Sequence, residues 1–201
     1  MSNTTVIAEC GSSHDGDLDA AMRLVDIAAR CGANVVKYQF VSNPERMAAR
    51  RHAPEFGKVY RQYMMGSDWL AKLAVRATDV DIILACSTYL PEDVERVAEH
   101  VEILKIAAFE SQDRELLVAH IAPINSGRTV IVSLGMGATG EIVQDWLGRG
   151  MNEDARSQGR LRCLKCVSAY PTPTRDLNIA ALRHRAGNWA GPCYHGYSDH
   201  S

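Results

Sequence analysis

No stretch of the 201 residues is apolar for the roughly eighteen positions that a membrane-spanning helix requires. The opening residues, Met1-Ser2-Asn3-Thr4-Thr5, lack the charged and apolar regions of a secretion signal. Excess charge is missing too. The 22 Lys and Arg stand against 24 Asp and Glu, so the net charge is -2 and no broad basic surface exists to hold nucleic acid. There is no low-complexity tract, no tandem sequence repeat, no domain linker and no Gly-rich dinucleotide loop. These absences give a cytoplasmic globular protein as the expectation, with neither nucleic acid nor membrane as partner. The six cysteines (10, 31, 86, 163, 166 and 193) are scattered through apolar segments. That pattern predicts buried free thiols rather than a disulfide framework. Cys163 and Cys166 form a C-x-x-C, but no second pair completes a zinc site, so they too are read as buried thiols.

What the sequence does contain is an alternation. Short apolar runs over residues 6–8, 34–39, 81–86, 101–106, 129–132, 161–167 and 193–197 read as strands, each ending in polar residues. Helical patterns fall between them: 17–31 with Gly32 as its stop, then 69–77, a start at Pro91, and 114–120, 141–147 and 177–184. The segment 41–67 exceeds an ordinary β-α loop and carries Arg46, Arg50, Arg51, His52, Lys58 and Arg61. It reads as a solvated, partly helical excursion, with a lid over an anionic substrate as the other reading. Seven β-α repeats with near-continuous apolar strands predict a parallel sheet covered by helices. Without a dinucleotide loop, the α/β class predicted is the TIM (β/α)8 barrel, truncated after its seventh strand. Residues 1–201 are expected to be one barrel domain.

The strand ends carry the chemistry. In order they present Glu9; Lys37 and Gln39; Ser87 and Thr88; Lys105 and Glu110; Ser133; Ser168 and Tyr170; then Ser198, Asp199 and His200. Two lysines and several hydroxyls on one face would suit a multiply charged phosphate or carboxylate. A salt bridge from a lysine to Glu9 or Glu110 is the structural alternative. Ser-Asp-His in direct succession cannot form a hydrolase triad, because neighbours on an extended chain cannot make the relay. His200 is better suited to a divalent metal, or else is a satisfied surface histidine.

Taken together, these strand ends resemble the sialic acid synthase family. The resemblance rests on Ile7-Ala8-Glu9-Cys10-Gly11 with His14-Asp15-Gly16-Asp17, on Val36-Lys37-Tyr38-Gln39 and on Cys86-Ser87-Thr88. It continues through Lys105-Ile106-Ala107-Ala108-Phe109-Glu110, Ser133-Leu134-Gly135-Met136, Tyr170-Pro171-Thr172-Pro173 and Gly196-Tyr197-Ser198-Asp199-His200-Ser201. Members of that family are TIM barrels that condense phosphoenolpyruvate with an N-acylated hexosamine aldehyde, N-acetylmannosamine or a diacetamido hexose, and release phosphate. The resemblance implies a transferase of this kind, a nonulosonic (sialic-type) acid synthase. It implies that Lys37, Thr88, Lys105, Ser133, Ser168 and Ser198 hold phosphoenolpyruvate, and that Gln39, Glu110 and Tyr170 face the amino sugar. Glu9 would be the catalytic acid/base, and His200 a catalytic metal ligand for Mn²⁺, or for Mg²⁺ or Co²⁺. A homodimer is implied. The last β/α unit and the C-terminal antifreeze-like domain of the family are absent from this sequence. Lys165 stands where many members have His, and Leu164-Lys165-Cys166 looks more like the pseudaminic acid and related synthases. Two other readings stand beside this one: a 3-deoxy-sugar-acid phosphate synthase-like barrel, and a non-catalytic barrel fragment that binds an anionic sugar.

Overall fold

The computed structural model describes residues 4–183 and 194–201. They group into two compact units, Met1–Leu104 and Lys105–Ser201.

In the first unit, β1 (Ile7–Gly11) leads through a turn to α1 (Leu18–Arg30). Asp17 caps this helix by accepting from the backbone N–H groups of Asp19 and Ala20, a cap of about 1 kcal/mol. The helix buries Ala21, Val25 and Ala28, three residues of its predicted apolar stripe, and Gly32 (φ 78°) turns the chain beyond it. Strand β2 (Val35–Phe40) follows. The long connection then folds into α2 (Pro44–Arg50) and α3 (Gly57–Gln62), so the partly helical excursion is what is found. Three of its basic residues are engaged: Arg46 pairs with Glu92, Arg61 with Glu45, and the Arg51 guanidinium lies over the Tyr60 and Tyr89 rings. Helix α4 (Trp69–Asp79), β3 (Ile83–Thr88) and α5 (Val94–Ala98) complete the unit. Strands β1, β2 and β3 pair in parallel in chain order. Both faces of β2 are covered, with Val35, Val36, Lys37, Tyr38 and Phe40 all buried. The Tyr38 hydroxyl donates to Ala21 O at 2.6 Å and ties β2 to α1. Each aliphatic side chain fully buried here contributes roughly 1.5–3 kcal/mol.

Strand β4 (Ile103–Ile106) crosses the junction of the two units. The second unit continues with α6 (Arg114–Ala119), α7 (Ile121–Asn125), β5 (Thr129–Leu134), α8 (Gly140–Trp146), α9 (Glu153–Ser157), β6 (Leu161–Cys166) and β7 (Gly196–Ser198). Strands β5, β6 and β7 pair in parallel, with Ser133 opposite Leu164 and Cys166 opposite Ser198. Asp113, Thr139 and Asn152 cap α6, α8 and α9 through their side-chain oxygens.

Three expectations need correcting. The expected helix over 177–184 is two short 3₁₀ turns, Thr174–Asp176 and Ile179–Arg183. Asn178 takes a left-handed conformation between them (φ 44°), which no α-helix can pass through; His184 lies outside the described residues. The seventh strand is shorter than 193–197 suggests and is shifted towards Ser198, with Cys193 outside the described residues. Cys31 is exposed, because it caps the C-terminal end of α1 instead of joining its apolar face. Cys10, Cys86, Cys163 and Cys166 are buried free thiols, as expected. No helix among the described residues is long and apolar enough to cross a membrane.

Candidate active site

Glu9 was expected at or just past the end of its strand, and the strand continues two residues beyond it to Gly11. Glu9 is in register with Lys37 and Gly11 with Tyr38, so Cys10 is the extra residue of a bulge. Gly11 makes this bulge feasible through its left-handed backbone (φ 51°). The bulge gathers a group of polar side chains. Glu9 forms an ion pair with Lys37, and the Lys37 ammonium also donates to Ser87 Oγ at 3.1 Å. A methyl group on Gly11 would stand 3.3 Å from Glu9 Oε1 and 3.5 Å from Gln39 Nε2. Glu9, Lys37, Gln39 and Ser87 therefore share one corner of the first unit, and Thr88 is buried at the end of the same β3. The salt bridge offered as the structural alternative for a strand lysine is thus present at Lys37. Two thiols beside this corner stay protonated: burial pushes Cys86 up to about 12 and also raises Cys10. Neither serves as a nucleophile near neutral pH.

In the second unit, Lys105 at the end of β4 and Glu110 beyond it are both buried. Ser133, on β5, is fully buried, and its hydroxyl has no hydrogen-bond partner among the described residues; the half-buried Ser168, two residues past β6, also has a buried hydroxyl with no partner among them. Such orphans are uncommon in folded proteins and call for an explanation. Gly135 lets the backbone pack closely against Ser168. A methyl group there would lie 3.3 Å from Ser168 Oγ, 3.2 Å from Ala108 Cβ and 3.4 Å from Cys166 O. Ser198 sits on β7 in register with Cys166.

His200 and Tyr170 form the second feature of this unit. Their rings stack with centroids 4.1 Å apart. His200 Nδ1 is 2.8 Å from Val167 O, and since a carbonyl only accepts, Nδ1 carries the proton. Nε2 then holds the lone pair and accepts from the Tyr170 hydroxyl at 3.2 Å. A backbone carbonyl holding Nδ1–H is the arrangement that orients metal-ligating histidines. A metal centre needs more donors than this one nitrogen, however. No group of three or more His, Cys, Asp and Glu comes together among the described residues, so these side chains alone do not make a metal site. Lys165 does not join the group. Its ammonium donates to Leu177 O at 2.7 Å and lies over the Tyr197 ring.

Every residue singled out from the sequence is thus located: Glu9, Lys37, Gln39 and Thr88 in one unit, and Lys105, Glu110, Ser133, Ser168, Tyr170, Ser198 and His200 in the other. Sequence reasoning passed over Gly11 and Gly135, which let the backbone pack closely at the polar strand ends, and ranked Ser87 below its neighbour Thr88. A glycine one or two residues from a strand-end Glu or Ser was the available signal.

The NeuB family model matches residues 24–201. The chain belongs to the NeuB family. This chain is 29% identical over 213 residues to N,N'-diacetyllegionaminic acid synthase of Campylobacter jejuni, covering 100% of this chain and 62% of that protein. It is 28% identical over 191 residues to human N-acetylneuraminate-9-phosphate synthase, covering 88% and 50%. Among solved structures, the N-acetylneuraminic acid (sialic acid) synthetase of Leptospira borgpetersenii, in complex with citrate, superimposes with a TM-score of 0.81 at 27% identity, over 100% of this chain and 66% of that one. This chain therefore has the α/β fold of the TIM-barrel synthases, followed through seven strands. It spans about half the length of the relatives it matches.

Proposed function

We propose that this chain carries out the condensation of a nonulosonic (sialic-type) acid synthase, joining phosphoenolpyruvate to an N-acylated hexosamine aldehyde and releasing phosphate. The observation that carries this reading is that the buried hydroxyls of Ser133 and Ser168 have no partner among the described residues. Hydroxyls desolvated without an acceptor cost about 1–3 kcal/mol each, a cost that an anionic ligand accepting from both would offset. The citrate bound by the Leptospira relative is a compact polycarboxylate, and phosphoenolpyruvate presents a carboxylate and a phosphate.

In this reading Lys37, Ser87 and Thr88 are the first unit's donors to the anion, and Lys105, Ser133, Ser168 and Ser198 are the second unit's. Gln39, Glu110 and Tyr170 meet the amino sugar. C3 of phosphoenolpyruvate forms the new bond to the aldehyde carbon, whose oxygen gains a proton and becomes a hydroxyl. The positive charge left at C2 is met by the Glu9 carboxylate and captured by a water, which loses a proton. The C2–O bond to phosphate then breaks as the new C2 hydroxyl passes its proton to the departing phosphate, leaving the 2-keto acid and inorganic phosphate. The lysines keep the phosphate charge neutralised throughout. A divalent cation, Mn²⁺ first, belongs to the proposal, with His200 Nε2 as its candidate ligand, a nitrogen that would give up the Tyr170 hydroxyl to bind it. Such an ion, when bound, polarises a carbonyl as a Lewis acid. A homodimer is also part of the proposal.

The test is phosphate release from phosphoenolpyruvate with Mn²⁺, screened with N-acetylmannosamine and diacetamido hexoses. It is run on this chain and on the longest natural reading frame that contains it. Release that depends on one of these sugars supports the reading and identifies the substrate. Phosphoenolpyruvate bound by both proteins without release from either would leave an anionic-sugar-binding barrel in its place.

A further inference from the structure

Lys37 and Glu9 are an unequal pair. The Lys37 side chain is only 4% exposed, whereas that of Glu9 is 51% exposed. The ammonium is fixed from behind by its donation to Ser87 Oγ, between strands in parallel register. The carboxylate stands at a bulge, close against the backbone of Gly11. A buried ammonium cannot be left without an anion except at considerable cost. A half-exposed carboxylate can leave for water at very little cost.

We propose that Glu9 is a replaceable counter-ion: it occupies Lys37 until the anionic group of the substrate displaces it, and that displacement frees the Glu9 carboxylate for its acid/base role. The inference rests on the reading that Lys37 meets an anionic group of the substrate. It adds an order of events: the catalytic carboxylate is held by the binding residue until substrate arrives. The consequence runs against first expectation. Removing a catalytic acidic group should tighten the binding of the anion, because the internal competitor is gone.

The experiment is calorimetric titration of inorganic phosphate and of phosphoenolpyruvate into the wild-type chain and into Glu9→Gln, Lys37→Met and Asp15→Asn, with a thermal melt of each to establish folding. Asp15→Asn removes one negative charge from the exposed loop that follows β1, at a backbone position (φ 50°) that Asn tolerates. Glu9→Gln should bind both anions about two- to fivefold more tightly than wild type, the scale of a half-exposed ion pair. Asp15→Asn should leave affinity unchanged. Equal or weaker binding by Glu9→Gln, or equal tightening by Asp15→Asn, overturns the displacement. Undiminished binding by Lys37→Met overturns instead the reading that Lys37 contacts the anion. Absence of anion binding in wild type and Glu9→Gln alike removes both.

Discussion

Replacing Lys37 with Met separates what this residue does for folding from what it does for binding. Methionine fills nearly the same volume without the charge. Folding loses an ion pair whose carboxylate is half exposed, together with one hydrogen bond to Ser87. It also loses the penalty of burying an ammonium, so the net change in stability should fall within about 1 kcal/mol of zero. Binding has no such compensation. A buried ammonium donating to an anion is worth about 1.5–3 kcal/mol, which corresponds to roughly 10- to 150-fold in the dissociation constant of phosphoenolpyruvate. Urea denaturation reads the first quantity and calorimetry the second. A Lys37→Met chain that melts like wild type but binds at least tenfold more weakly bears the argument out. A chain that binds phosphoenolpyruvate as well as wild type refutes it, and a loss of several kcal/mol in stability would make Lys37 a structural residue.

Glu9→Gln should lower turnover by on the order of 10²-fold or more in the sugar-dependent phosphate-release assay; near wild-type turnover would remove Glu9 from the chemistry. Gly135→Ala pushes a methyl group against Ser168, Ala108 and the Cys166 carbonyl. It should cost about 1–3 kcal/mol in urea denaturation and weaken phosphoenolpyruvate binding about tenfold through the displaced Ser168 hydroxyl. A variant unchanged in both would mean that Gly135 does not shape this corner. Stability should also depend on pH through His120, which is fully buried beside Leu116 O and which desolvation lowers from 6.5 to about 4. The folded state resists protonation, so the His120 contribution is complete above pH 6.5 and is lost as pH falls towards 4, by about 3 kcal/mol in all. His120→Leu should flatten that part of the urea-denaturation profile, and an identical profile in the variant would contradict the assignment.

The parallel α/β alternation was legible because a strand buried on both faces leaves an unbroken apolar run. The 35–40 segment is such a case, and polar residues follow such runs at their ends. The polar strand-end groups were legible for the same reason, as lysines and serines interrupting apolar sequence. What the sequence hid was conformational. The bulge at Cys10 follows from one left-handed glycine, and no periodicity announces it. Asn178 breaks a helical pattern by a backbone angle rather than by its composition. Helix α9 was visible in principle from Asn152 followed by two acidic residues, but its single buried residue gives no stripe to read. The partners of Lys37 and His200 were not legible, since each pair depends on which strands are neighbours and at what register. Only the fold supplies that.

The most direct test of the proposed chemistry is to follow the bridging oxygen. Phosphoenolpyruvate labelled with ¹⁸O between C2 and phosphorus is turned over with the amino sugar and Mn²⁺, and the products are analysed by mass spectrometry. Carbon–oxygen cleavage sends the label into inorganic phosphate and gives the new keto acid its oxygen from water, with both products dependent on the sugar. Label retained in the organic product, or phosphate released at the same rate without sugar, would contradict the account.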